Sequence, residues 1–166
     1  MNPDIFRPPV IRGRMTITDQ GDALVLAGAI DEAAALHELP QRARNGQLVL
    51  DLAAITFINS LGVRDWIRMQ AAAQKSQLAV ELRRVAEPLV HQLNMIIATR
   101  GDAKVTSFFA PYACDACGRE ESLLIDAVAN AERLVRLDPP PMTCPECKAQ
   151  MAFNDFPERY FSFLTM

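Results

Sequence analysis

Residues 48–63 read LVLDLAAITFINSLGV, and this stretch decides the fold. Its first part, 48–52, is a nearly continuous apolar run, which is typical of a strand that is buried on both faces. Residues 53–58 extend the chain to Asn59-Ser60, a pair that suits the start of a helix. Apolar residues at helical spacing follow, so we expect a long helix that runs through Gln74.

Upstream of this stretch, the sequence predicts a β-hairpin and a short helix. Residues 14–28 alternate around the turn sequence 19–22, as hairpins do. Asp31 is a good N-cap for the alanine-rich segment behind it, so we expect a helix over 31–43, broken or bent late by Pro40. Residues 1–13 contain three prolines and are interpreted as an irregular arm.

Downstream, the pattern continues to alternate between strands and helices. We expect a strand at 78–82, a short helix from Glu87 to about Ile97, and a strand at 105–109. The order β-β-α-β-α-β-α-β predicts an α/β domain in which helices cover a mixed sheet.

All four cysteines of the chain lie in two CxxC pairs near the C-terminus. A CxxC turn places two sulfurs on one side of a tight loop, so two turns supply the four thiolates that Zn²⁺ binds tetrahedrally. We therefore predict one structural zinc per chain, with Gly118 and Lys148 at the positions of positive φ and Arg119 or Lys148 offsetting the sulfur charge. The predicted metal ligands are Cys114, Cys117, Cys144 and Cys147.

A redox-active dithiol is the alternative interpretation of a CxxC pair. A catalytic pair normally occurs once and opens a helix, whereas this chain has two pairs, 26 residues apart, with turn-like flanks. Because protein donors fill all four positions, the pattern favours a closed structural site.

The residues Asp51 to Val63 resemble the signature of STAS domains in bacterial anti-sigma factor antagonists. The earlier Gly28-Ala29-Ile30-Asp31 also matches that family. The resemblance covers about 14–108. It implies an α/β fold in which a STAS-like mixed sheet is covered by helices, followed by a zinc-ribbon-like β module over 109–166.

The resemblance further implies a non-enzymatic, regulatory protein-binding module. In many members the serine that matches Ser60 is phosphorylated by a partner kinase that is also the anti-sigma factor, and phosphorylation releases the partner. An anti-sigma factor or serine kinase is therefore the expected partner. The expected partner-binding residues are Asp31, Ile58, Asn59, Ser60, Leu61 and Gly62.

Two residues depart from the family pattern. Asn59 stands where the family has aspartate, and Leu61 is bulkier than the usual small residue. Asn and Asp cap helices equally well, so the fold tolerates the first change. Two other interpretations stay open: a plain N-cap pair at 59–60, and a non-switching adaptor that docks a partner without modification.

Charge and composition exclude some classes of function. Residues 1–108 carry 12 basic and 11 acidic side chains, whereas 109–166 carry 5 and 9, and such an acidic module binds nucleic acid poorly. With no apolar run long enough to span a bilayer and no secretory leader, we expect a cytoplasmic protein. The aromatic tail at 153–164 either completes a small core or offers a docking surface.

Overall fold

The computed structural model describes residues 9–164, so most of the predicted N-terminal arm lies outside the described residues. The first sheet is mixed: its first three strands pair antiparallel, and its third to sixth strands pair parallel. In spatial order, which is also chain order, the strands are β1 (Val10–Arg12), β2 (Met15–Gln20), β3 (Ala23–Ile30), β4 (Gln47–Ile58), β5 (Ala79–Arg83) and β6 (Lys104–Val105).

Helices connect the parallel strands of this sheet, as predicted. The connecting elements are α1 (Ser60–Lys75), α2 (Glu87–Met95) and two 3₁₀ helices (Leu36–Arg42 and Ile97–Thr99). Strand β4 is central, and its residues Leu48, Leu50 and Leu52 are buried, as the apolar run predicts. Helix α1 packs its buried face, which includes Trp66 and Met69, on the same core.

The second sheet has four strands in the order β8-β7-β10-β9, and all of its neighbours pair antiparallel. The strands are β7 (Ser107–Ala113), β8 (Glu120–Asp126), β9 (Met142–Thr143) and β10 (Gln150–Phe153). The remaining elements are the short helices α3 (Ala131–Val135) and α4 (Pro157–Tyr160) and a 3₁₀ helix (Ser162–Leu164).

The predicted helix over 31–43 is wrong. Asp31 accepts a hydrogen bond of 3.0 Å from the N–H of Ala33 in a turn, and only a 3₁₀ helix, Leu36–Arg42, follows. Ala35 precedes that helix with a φ of 50°, which interrupts any helix begun at Asp31. Pro40 lies inside it and lacks the N–H that an α-helix would need.

Two other elements differ from the sequence prediction. Residues 10–12 of the predicted irregular arm form β1 at the edge of the first sheet. The single strand expected at 105–109 is divided at Thr106 between β6, which joins the first sheet, and β7, which joins the second. Strand β7 therefore crosses the predicted boundary between the STAS-like region, 14–108, and the zinc-ribbon-like module, 109–166.

The two sheets meet where the chain leaves β5. Arg84 has a φ of 48°, and this turn directs Val85 away from β4 and towards β7. The N–H of Val85 donates to the carbonyl of Ser107 at 3.0 Å, and the N–H of Phe109 donates to the carbonyl of Val85 at 2.8 Å. Backbone hydrogen bonds therefore join the two modules without a flexible linker.

The aromatic tail fills the space between the modules. Phe108 is fully buried and lies within 6.5 Å, ring centre to ring centre, of Tyr160, Phe161 and Phe163. These contacts confirm the interpretation in which the tail completes a core. Phe156 is the exception, because 69% of it is exposed.

Candidate functional site

The second sheet brings the two CxxC turns together. The first turn, 114–117, lies between β7 and β8, and the second, 144–147, lies between β9 and β10. Strand β10 pairs with both β7 and β9, with Ala152 opposite Ala113 and Gln150 opposite Thr143. The turns therefore end up side by side at one end of the sheet.

The two turns have the same internal geometry. The N–H of Cys114 donates to the carbonyl of Arg119 at 2.8 Å, and the N–H of Cys144 donates to the carbonyl of Ala149 at 2.8 Å. Gly118 and Lys148 return hydrogen bonds to the carbonyls of the first cysteines, with φ values of 73° and 64°. Positive φ at these two positions confirms the prediction from the spacing of the motif.

The four sulfur atoms form one compact cluster, with every pair within 4.8 Å. Two of these distances cross between the turns: 3.4 Å from Cys114 to Cys147 and 3.7 Å from Cys117 to Cys144. A tetrahedral site with metal–sulfur bonds of about 2.3 Å separates its sulfurs by about 3.8 Å. The four cysteines are therefore positioned to bind one metal ion.

Electrostatics in the cluster also favours a bound cation. The backbone N–H groups of Cys147 and Glu146 lower the pKa of the Cys144 thiol to about 7. The N–H of Arg119 lowers the pKa of Cys117, but burial and the three neighbouring thiols outweigh it and raise that pKa to about 12. The four thiols cannot all ionise side by side unless a cation neutralises them.

Arg119 ties the two turns together from outside the cluster. Its guanidinium donates to Glu121 at 2.7 Å and to Glu146 at 3.0 Å. The Nζ of Lys148 donates to the carbonyl of Pro145 at 2.8 Å. Arg119 or Lys148 was predicted to offset the sulfur charge. The hydrogen bonds of the two side chains go to carboxylate oxygens of Glu121 and Glu146 and to the carbonyl of Pro145.

A second candidate site lies at the start of α1. The side-chain oxygen of Asn59 accepts a hydrogen bond of 2.8 Å from the N–H of Gly62, so Asn59 is the N-cap. Its side-chain amide donates to a carboxylate oxygen of Glu32 at 3.1 Å. Ser60, the first residue of the helix, is exposed next to this pair.

Gly62 allows the start of α1 to lie directly against the end of β3. A Cβ atom at this position would be 2.3 Å from the carbonyl oxygen of Ile30. The same oxygen accepts a hydrogen bond of 3.1 Å from the N–H of Asn59. This close approach at Gly62 fixes the position of Ser60 at the end of the sheet.

The structure divides the predicted partner-binding residues into two groups. Asn59, Ser60 and Leu61 reach the surface, and 42% of Leu61 is exposed. The other three, Asp31, Ile58 and Gly62, are buried.

The buried Asp31 carboxylate binds the side chain of Arg14 at 2.9 Å. The hydrogen bond from Arg14 lowers the pKa of Asp31, and the N–H of Ala33 acts in the same direction. Asp31 therefore helps to position the end of β3.

Phe57 was missed by sequence reasoning. Its side chain is 48% exposed beside the buried Ile58, and the Arg14 guanidinium lies 5.9 Å from the centre of its ring. Strand alternation does not predict this exposure, because the buried residues Ile55 and Ile58 are three positions apart. Phe57, Ser60 and Leu61 define what we call the helix-start surface.

Within residues 9–164, no helix combines the length and apolar character needed to cross a membrane. Comparison with known proteins found no match among family models, curated proteins or solved structures.

Proposed function

We propose that this chain is a non-enzymatic regulatory module, similar to anti-sigma factor antagonists, that binds a protein partner through the helix-start surface. The observation that carries the proposal is Ser60, exposed at the first position of a 16-residue helix beside exposed Phe57 and Leu61. Large exposed apolar side chains are typical anchors of protein interfaces. An anti-sigma factor or a serine kinase of that type is the proposed partner.

In this proposal, phosphorylation of Ser60 controls partner binding. The helix N-terminus favours a phosphate at this position, because unpaired N–H groups and the helix dipole stabilise negative charge. The phosphate adds nearly two negative charges between two apolar anchors. The Glu32 carboxylate, which accepts a hydrogen bond from the neighbouring Asn59, adds negative charge near the start of the helix. Desolvation and like-charge repulsion then weaken the complex.

The metal at the cysteine cluster is proposed to be a structural Zn²⁺ ion, one per chain. Four sulfur donors in a compact set suit zinc or iron, and a site filled by four protein ligands leaves no position for a substrate. The small second sheet has little core of its own, so the metal would supply much of its folding free energy. This role agrees with the position of the turns, since a metal bound there would join the β7–β8 and β9–β10 connections at one end of the sheet.

The proposal is tested by phosphopeptide mapping of the protein purified from its source cells. We expect one phosphate per chain, on Ser60. The Ser60→Ala variant should carry none, whereas Ser76→Ala, an exposed serine at the other end of α1, should be phosphorylated like the parent. Phosphate on Ser60→Ala at the parental level would refute Ser60 as the switch.

The second candidate function is a non-switching adaptor that binds its partner through the zinc-ribbon-like module and the tail. The exposure of Phe156, with the Arg159 guanidinium 5.6 Å from its ring centre, favours this candidate. Partners captured with the full chain as bait separate the two functions. For an adaptor, Phe156→Ala weakens capture and Ser60→Asp leaves it unchanged. For the switch, Ser60→Asp weakens capture and Phe156→Ala leaves it unchanged.

A further inference from the structure

An apolar groove of about 290 Å³ lies on the outer edge of the molecule, away from both candidate sites. Its walls come from β6, the turn after β8, helix α3 and Leu164 at the end of the tail. All lining residues except Lys104 are apolar. The volume is at the lower end of the roughly 300–1,000 Å³ typical of small-molecule sites, so a small, slender ligand suits it.

The rim of the groove exposes apolar surface that residues 9–164 leave uncovered. Val128 is 59% exposed and Val135 is 75% exposed, while Leu134 forms a buried floor. Water in contact with these side chains is released when an alkyl chain covers them, and this release favours binding.

Lys104 supplies a positive charge that nothing else in the described chain neutralises. It forms no ion pair within residues 9–164, in contrast to most of the arginines there. Its neighbour in the sheet register, Glu81, binds Arg83 at 2.7 Å. A ligand carboxylate can therefore use this ammonium without competition from Glu81.

The nearby acids Asp126 and Glu132 do not line the groove, and each is held by another group. The Asp126 carboxylate accepts hydrogen bonds from the N–H groups of Val128 and Ala129 at 2.9 and 2.8 Å. Glu132 pairs with Arg136 at 3.6 Å. The unpaired charge that lines the groove is positive.

We propose that this groove binds a linear medium-chain monocarboxylate, with the alkyl chain along the groove and the carboxylate at Lys104. The site goes beyond the protein-binding function proposed above and does not depend on it. The chemistry that recognises the ligand is an apolar groove with one ammonium group in its lining.

The test is calorimetric titration of the full, metal-loaded chain with hexanoate and octanoate, below the concentrations at which they form micelles. Each buried methylene should tighten binding about fourfold, so octanoate should bind about fifteenfold more tightly than hexanoate. Octanol and octylammonium are ligands matched in length, and both should bind at least tenfold more weakly than octanoate. Equal affinity for octanol and octanoate would overturn the role of Lys104.

Variants locate the site. Lys104→Gln should remove the preference for octanoate over octanol, and Ala131→Trp should fill the groove and abolish binding of both. The matched control is Ala71→Trp, on an exposed position of α1, which should bind like the parent. Parental binding by a folded Ala131→Trp chain would overturn the assignment.

Val135→Asp keeps the test decisive if Ala131→Trp does not fold. Val135 is largely exposed, so the change is tolerated, and the new carboxylate should weaken octanoate and favour octylammonium. Absence of saturable octanoate binding to the parent would overturn the proposal. So would self-association that Val135→Asp abolishes, because the groove would then bind a second copy of the chain.

Discussion

The side-chain amide of Asn94 in α2 donates a hydrogen bond of 2.8 Å to the carbonyl oxygen of Tyr160 in the tail. The amide oxygen of the same residue accepts from the hydroxyl of Ser162 at 2.8 Å and from the N–H of Phe163 at 2.9 Å. One side chain on the first module therefore holds three groups of the tail that belongs to the second.

Replacing Asn94 by alanine should destabilise the whole chain. The change leaves partly buried tail groups without partners, which we expect to lower the free energy of unfolding by about 2 kcal/mol. Urea denaturation measures the loss. The control is Asn154→Ala, at an exposed position, with an expected change within about 0.5 kcal/mol. Similar losses in both variants would contradict the role of Asn94.

Gly62→Ala should be destabilising although alanine is the better helix former. On an open helix the change gains about 1 kcal/mol. Here the new Cβ would be 2.3 Å from the Ile30 carbonyl oxygen, and the overpacking costs about 1–3 kcal/mol. Thermal unfolding shows whether Gly62→Ala raises or lowers the stability of the chain. Leu61→Ala, next to it and exposed, should change stability little, and a stabilised Gly62→Ala chain would refute the close approach.

Both tyrosines of the chain should resist ionisation in the folded state. Burial raises the pKa of Tyr112 to about 12 and raises the pKa of Tyr160 further. Because both folded-state pKa values are raised, this contribution to stability is complete below the unfolded value of about 10 and is lost as pH rises above it. Absorbance titration should show no phenolate near pH 10 in the native chain, and full ionisation with a midpoint near 10 in urea. Native ionisation near 10 would show that the tyrosines are accessible.

Removing the metal should unfold the second module. We expect one zinc per chain by elemental analysis, and its release by a chelator should abolish the near-ultraviolet circular dichroism of the packed aromatic rings. Acidification should also release the metal, because protons compete for the thiolates. Cys144→Ser provides the comparison: it should bind no zinc and should not respond to chelator. A metal-free chain with reversible thiol oxidation would instead support the redox interpretation.

Short-range patterns predicted much of the structure. The apolar run at 48–52 and the Asn59 cap gave β4 and the start of α1, because burial and capping act within a few residues. The cysteine spacing likewise predicted the positive φ of Gly118 and Lys148, because those constraints are internal to each turn.

Predictions failed where distant residues decide the outcome. Asp31 has the local features of a helix cap, but its carboxylate binds Arg14, 17 positions earlier. The division of 105–109 between two sheets depends on Val85, which pairs across to β7. For the tail the sequence left two interpretations open, because the position of the tail depends on Asn94, 66 residues before Tyr160. Local sequence patterns do not reveal which distant residues will interact in this way.

Strand β7 joins the sheet that carries the cysteine cluster to the sheet at whose end Ser60 lies. Its first residues bond to Val85, and its last residue, Ala113, immediately precedes Cys114, the first cysteine of the cluster. Seven residues of strand, roughly 23 Å, therefore connect the cysteine cluster to the sheet that presents Ser60. Any effect of metal binding on partner affinity must be matched by an equal effect of the partner on metal affinity, because linkage between two sites is reciprocal.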